Sequence, residues 1–94
     1  MRINYTDVMW KVTQMRAQAV KLYYQIYRLK MVKDTLRRNW DGPASEIYQK
    51  KLLELIHDME ITRNKIINTT EDIEATAKAI RRADLEAAEN ARQL

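Results

Sequence analysis

Hydrophobic positions in the first half of the chain follow a four-three-four-three rhythm through Val8, Val12, Met15, Ala19, Leu22, Ile26 and Leu29. After Lys33 the rhythm resumes at Leu36 and Trp40. This spacing holds side chains on one stripe of an α-helix that lies along another helix. Lys33 fits an end layer in which its aliphatic stem lies on the core and its ammonium reaches water. The second half repeats every seven residues, with Leu52, Met59, Ile66, Ile73, Ile80, Ala87 and Leu94 in one column and Leu55, Thr62, Thr69, Thr76 and Ala83 in another. The repeat predicts a coiled-coil-like seam. Its second column is thin, because threonine contributes one methyl and has a hydroxyl to satisfy, commonly on a carbonyl of the preceding turn. Such small residues leave room for Met15 and Leu22 across the seam.

Between the two patterns, Asn39-Trp40-Asp41-Gly42-Pro43 contains the only glycine and the only proline. Gly42 can take a positive φ at little cost, and Pro43 suits the first turn of a new helix. The expected architecture is an all-α, antiparallel two-helix hairpin forming a single domain over residues 1–94. Helix one is expected over about 6–39, the turn over 40–43 and helix two over about 43–85. Asn4 or Thr6 caps helix one, and Asp7 stands where an acid favours the positive end of the helix dipole. Trp40, on the seam at the tip, is expected to plug the end of the core. After Ile80 the seam weakens while helical propensity stays high, so residues 86–94 are expected to fray alone and to be able to order on a partner.

A second series in helix one, Ala17, Val20, Tyr24, Tyr27 and Met31, repeats the same rhythm well round the cylinder from the first, by about 100–150° at 3.6 residues per turn. A hairpin uses one face of each helix. The second face therefore makes Val20, Tyr24, Tyr27 and Met31 candidates for a dimer interface that completes a four-helix bundle. The competing explanation is that these tyrosines sit half exposed with their hydroxyls in water. Tyr23 lies between the stripes and favours neither. Trp10 reads with the mainly polar side of Lys11, Gln14, Gln18 and Lys21, as an exposed tryptophan.

Ninety-four residues in two helices bury little core, which is an independent reason to expect a partner. The net charge of +4 is unevenly divided: residues 1–40 carry nine Lys/Arg against Asp7 and Asp34, a balance of +7, and the remainder carries −3. Opposite signs guide pairing of the arms, but exposed pairs contribute only about 0–1 kcal/mol each. With no cysteine there is neither a disulfide frame nor a thiolate metal site. No apolar run is long enough to span a bilayer, and the opening residues lack the apolar core of a secretory signal peptide.

Glu54 and the single histidine, His57, have the Glu-x-x-His spacing of metal-binding bundles, but both point away from the stripe of Leu52 and Met59, so a solvated histidine is expected and no metal. Nothing supplies a nucleophile with its base or a phosphate-cradling loop, so neither enzymatic activity nor a cofactor is expected. The basic residues of helix one raise nucleic-acid binding as an alternative, but they are scattered: Lys11, Lys21 and Arg28 share a face that Arg16, Lys30 and Arg37 do not. Stable membrane insertion is not expected, because the apolar stripes are needed for packing.

Total length, two heptad-bearing helices, absence of cysteine and a central Trp40-Asp41-Gly42 turn together resemble the WxG family of small secreted helical hairpins, related to the early secreted antigen of mycobacteria. The likeness spans essentially the whole chain. It is strongest at Asn39-Trp40-Asp41-Gly42 and the amphipathic start Ala44-Ser45-Glu46-Ile47-Tyr48, which resemble members from Gram-positive bacteria. The resemblance implies export from a bacterium by a type VII secretion system, without a cleaved signal peptide, as a folded dimer. It implies a secreted or cell-surface protein that acts by protein contacts, as virulence factor or export adaptor. It also implies that Trp40, Asp41 and Gly42 form the turn motif presented to the export ATPase. The tail signal of mycobacterial-type members, Tyr-x-x-x-Asp/Glu, is missing, since no tyrosine follows Tyr48; Leu85 and Glu89 have its spacing with an aliphatic residue in the aromatic place.

The partner implied is a second copy, preferred over an acidic relative or the helical head of a larger secreted toxin. Two +7 arms repel, but charges more than about 8 Å apart are largely screened at ordinary ionic strength, and hydrophobic burial at about 25 cal/mol per Å² dominates.

Overall fold

A computed structural model describes residues 3–94, which form two antiparallel helices, α1 (Tyr5–Asn39) and α2 (Pro43–Arg92), with no strand among the described residues. Asn4 is the cap of α1: its side-chain oxygen accepts the Asp7 backbone N–H at 3.1 Å. Thr6 already lies within the helix. The rod measures 79 × 15 × 12 Å, and its smallest dimension is about one helix diameter.

The turn is short because each residue of it has a separate task. Trp40 ends α1 in an extended conformation, its N–H still donating to the Leu36 carbonyl at 2.9 Å. Gly42 has φ +106°, a conformation that side chains disfavour, and Pro43 opens α2. Ser45, almost fully buried, donates its hydroxyl to the Trp40 carbonyl at 2.6 Å and accepts from the Gln49 side-chain amide at 3.0 Å. The residue closing the core at the tip is therefore Ser45. The Trp40 ring is 38% exposed and lies against Tyr48, ring centroids 5.5 Å apart, instead of plugging the end. A small hydroxyl lets the first turn of α2 approach the end of α1, and the indole is left on the flank.

On α1 the inward stripe is the one expected: Val12, Ala19 and Ile26 are buried, and Val8, Met15, Leu22, Leu29, Lys33 and Leu36 are half-buried. On α2 the column Leu52, Met59, Ile66, Ile73 and Ile80 also faces α1, half-buried throughout. Its companion column differs from the expected one. Leu55 is 47% exposed, and Thr62, Thr69, Thr76 and Ala83 are exposed with it, whereas Ile56 is 4% exposed and Arg63, Thr70, Ala77 and Asp84 continue its column inward.

The physical reason lies across the helix pair. Bringing the Leu55 column inward would turn α2 by about 50° on its axis. That rotation would carry Glu60 and Glu74 away from Lys30 and Arg16, with which they form the two ion pairs between the helices. The Thr70 hydroxyl is satisfied within its own helix by the Ile66 carbonyl at 2.7 Å.

Helix α2 continues to Arg92, past the end expected at about residue 85. Ala87, Ala88 and Ala91 are strong helix formers, and Arg92 pairs with Glu89 at 3.6 Å one turn away. The common register of the two cross-helix ion pairs sets the start of α1 beside Arg81, whose guanidinium lies 4.4 Å from the Tyr5 ring centroid. The last turns of α2 consequently run on past the start of α1, where Tyr5 shares a depression with Leu85 and Glu89.

The column assignment predicts unequal effects of two adjacent truncations. Ile56→Ala should destabilise the hairpin by about 2–4 kcal/mol, whereas Leu55→Ala should stay within about 0.5 kcal/mol. Urea unfolding followed by circular dichroism measures both, and the reverse order would mean that the Leu55 column faces α1.

Candidate interaction surface

The side of α1 turned away from α2 carries Val20, Tyr24, Tyr27 and Met31, each more than half exposed. All are spaced as in the inward stripe, so a straight helix presents them as one strip. Trp10 is exposed as expected, but it stands at whole-heptad spacing from Ala17, Tyr24 and Met31 and so extends this strip instead of the polar side. Tyr23 stands at the edge of the strip, also exposed, with its ring edge-on to Tyr24 at 5.6 Å.

Where this strip meets α2, an open groove of about 410 Å³ runs between Val20, Tyr23 and Tyr24 on one wall and Ile67 on the other. Ala19 and the two cations Arg16 and Arg63 complete its lining. Leu53 occupies the same heptad position of α2 as Glu60, Ile67 and Glu74, and it is exposed. The apolar surface thus passes from α1 onto one flank of α2.

Arg63 is the residue that sequence reasoning missed. It belongs to the inward column of Ile56, Thr70 and Ala77, and its membership of that heptad series was the available signal. Its guanidinium carbon lies 5.7 Å from the Tyr23 ring centroid, and one terminal nitrogen donates to the Asn64 side-chain oxygen at 3.2 Å. The Nε atom is buried without a hydrogen-bond partner, and Arg63 takes part in no ion pair among the described residues.

The neighbouring cation is placed differently. Arg16 pairs with Glu74, which also accepts from Lys78 at 3.0 Å. The hydrogen bond from Lys78, then that from Arg16, holds the Glu74 carboxyl below its ordinary value of 4.5. Farther along the flank, Lys30 pairs with Glu60 at 3.0 Å.

The turn residues Trp40, Asp41 and Gly42 are all exposed at one extremity of the rod. At the other, Leu85 and Glu89 lie one turn apart on α2 and share a shallow depression with Tyr5 and Arg81. Glu54 and His57 are exposed, and among the described residues no three His, Cys, Asp or Glu side chains gather around a common point. No helix among the described residues is long and apolar enough to cross a membrane. In comparisons with protein-family models, curated proteins and solved structures, nothing matches the chain.

A depressed carboxyl pKa contributes stability above the unfolded-state value, and that contribution disappears as pH falls through the folded-state value. Glu74→Gln should therefore lower the melting temperature at pH 7, and the gap from the unsubstituted chain should close as pH falls below 4.5. Parallel thermal melts from pH 7 to pH 3 measure this. A gap that persists undiminished at pH 3 would show that Glu74 stabilises by something other than its charge.

Proposed function

We propose that this chain is a small interaction hairpin, exported by a bacterial type VII secretion system, that pairs with a second helical hairpin into a four-helix bundle and acts through protein contacts. The observation that carries the reading is the Trp40-Asp41-Gly42 turn at the exposed tip of a hairpin whose first helix keeps a second apolar strip facing outward. The first half of that observation is the feature by which the sequence resembles WxG proteins. The second half is what one half of a bundle presents, since a lone pair of helices has no use for two heptad faces on the same helix.

The tip is built to hold one shape. Gly42 has open space where a Cβ would stand, so its restriction is conformational and not steric crowding: at φ +106° a side chain is strained whatever the room. The extended backbone at Trp40 and its stacking on Tyr48 set the indole on the outside of the turn, where another protein can contact it. On this reading Trp40 and Gly42 are the features that the export ATPase meets, and the bundle partner meets the strip of Val20, Tyr24, Tyr27 and Met31. Secretion then delivers the paired protein to the cell surface or beyond, as virulence factor or adaptor.

Pairing within the hairpin weighs against nucleic-acid binding. Lys11, Arg16 and Lys30 each already contact a carboxylate, on Asp7, Glu74 and Glu60. Among the described residues the remaining cations are spread around both helices, whereas a phosphate backbone calls for a basic patch or stripe.

Export measured as the secreted fraction from a type VII-competent bacterium tests the proposal. Trp40→Ala should reduce secretion to background while leaving the circular dichroism of the purified chain unchanged. Gly42→Val should also impair it, with a loss of stability of about 1–2 kcal/mol from the positive φ. Leu55→Ala, on the opposite flank of α2, should be secreted normally. Equal secretion of all three variants and the unsubstituted chain would remove the turn from any role in export.

A further inference from the structure

We infer that the groove between Tyr23 and Ile67 seats an acid-bearing amphipathic helix of a different polypeptide, with a carboxylate of that helix closing on Arg63. The inference rests on reading the chain as half of a helical bundle and names what the other half must carry.

Arg63 is the unusual member of its column. The other cations on this flank near the groove each have an opposite charge beside them: Arg16 has Glu74 and Lys30 has Glu60. Arg63 stands between those two pairs with a buried Nε lacking any partner and a guanidinium leaning on the Tyr23 ring. A guanidinium offers its donors in a planar fork that matches a carboxylate. Covering the groove with a purely apolar helix would bury that fork further and leave its charge and the donors not already on Asn64 unpaired, which is strongly unfavourable. Covering it with a helix whose apolar residues meet Val20, Tyr24 and Ile67, and whose acid meets Arg63, satisfies both kinds of surface.

A second copy of this chain fits poorly as the occupant. Between Asp7 and Asp34, α1 contains no carboxylate, yet it carries Lys11, Arg16, Lys21, Arg28, Lys30 and Lys33. A twofold contact places the same patch on both sides, so the cations of this acid-free stretch would be brought in on both sides of the interface. Like charges juxtaposed at an interface oppose association, and complementary ones favour it. Of the acids of α2 on this flank, Glu60 and Glu74 are already engaged with Lys30 and with Arg16 and Lys78, which leaves Glu71, one turn beyond Ile67, against the many cations of α1. Charge complementarity thus selects an acidic partner over a basic one, and the unpaired Arg63 says where an acid of that partner goes.

The test uses the full chain and two synthetic amphipathic helices of four heptads, both with leucine at the two seam positions. One carries glutamate at the flanking positions and the other glutamine. Binding is read by fluorescence anisotropy of the labelled peptide, and sedimentation equilibrium gives the state of the chain alone. The glutamate peptide should bind at least about tenfold more tightly than the glutamine peptide.

Arg63→Gln should remove most of that preference while leaving affinity for the glutamine peptide unchanged. Arg28→Gln, which deletes an equal charge on the polar side of α1, should alter it much less. Tyr24→Ala with Tyr27→Ala should weaken both peptides. Helical circular dichroism of each variant confirms that the hairpin is intact.

Equal binding of the two peptides, or equal effects of Arg63→Gln and Arg28→Gln, would overturn the inference. So would a stable dimer of the chain alone that Tyr24→Ala with Tyr27→Ala dissociates. Failure of the export reading is distinguishable: a chain that is not secreted but discriminates between the peptides through Arg63 retains this inference. A secreted chain that pairs with itself across the same face loses only this inference.

Discussion

Two helices in contact along one line remove from water only the strip of each cylinder that faces the other. That limit governs this molecule, whose thickness of 12 Å is hardly more than one helix. Most seam residues are half-buried, and only those near the contact line, such as Val12, Ile26 and Ile56, approach complete exclusion of water. Burial on this scale stabilises weakly against the entropy of ordering the chain, so the smaller terms acquire unusual importance. Among them are the Asn4 cap, the Ser45 bond across the turn, and the ion pairs that hold the helices in one rotation.

Those ion pairs act less as a source of stability than as a choice among near-equal packings. The first column of α2 could be joined by the positions three residues on or four residues on, and neither set is strongly apolar: one contains three threonines, the other an arginine, a threonine and an aspartate. With the hydrophobic terms so closely balanced, keeping Glu60 and Glu74 within reach of Lys30 and Arg16 favours the second set. The consequence extends to the outer surface. The same rotation brings Arg63 against Tyr23 and places Ile67 and Leu53 on the flank that continues the outward strip of α1.

The two ends of the rod differ in the same way from its middle. At the tip, an exposed indole rests on Tyr48 over a turn held by a positive-φ glycine and a buried serine hydroxyl, a small rigid feature on an otherwise smooth rod. At the other end α2 runs on past the beginning of α1 and carries Leu85 and Glu89 outward with it.

Read from the sequence alone, the hairpin was legible because its determinants are local. A lone Gly-Pro pair breaks the chain, and heptad spacing marks Val8 to Leu36 and Leu52 to Ile80 as the inward stripes whatever they pack against. The outward series from Ala17 to Met31 was legible for the same reason, since periodicity places residues on a cylinder without reference to its neighbour. Which companion column of α2 turned inward, that Ser45 instead of Trp40 closed the tip, and that Arg63 faced the groove with no ion pair among the described residues were decided only in the folded structure. Each depends on the rotation of one helix against the other, and that rotation is set by side chains far apart in the chain that meet only after the turn has folded them together.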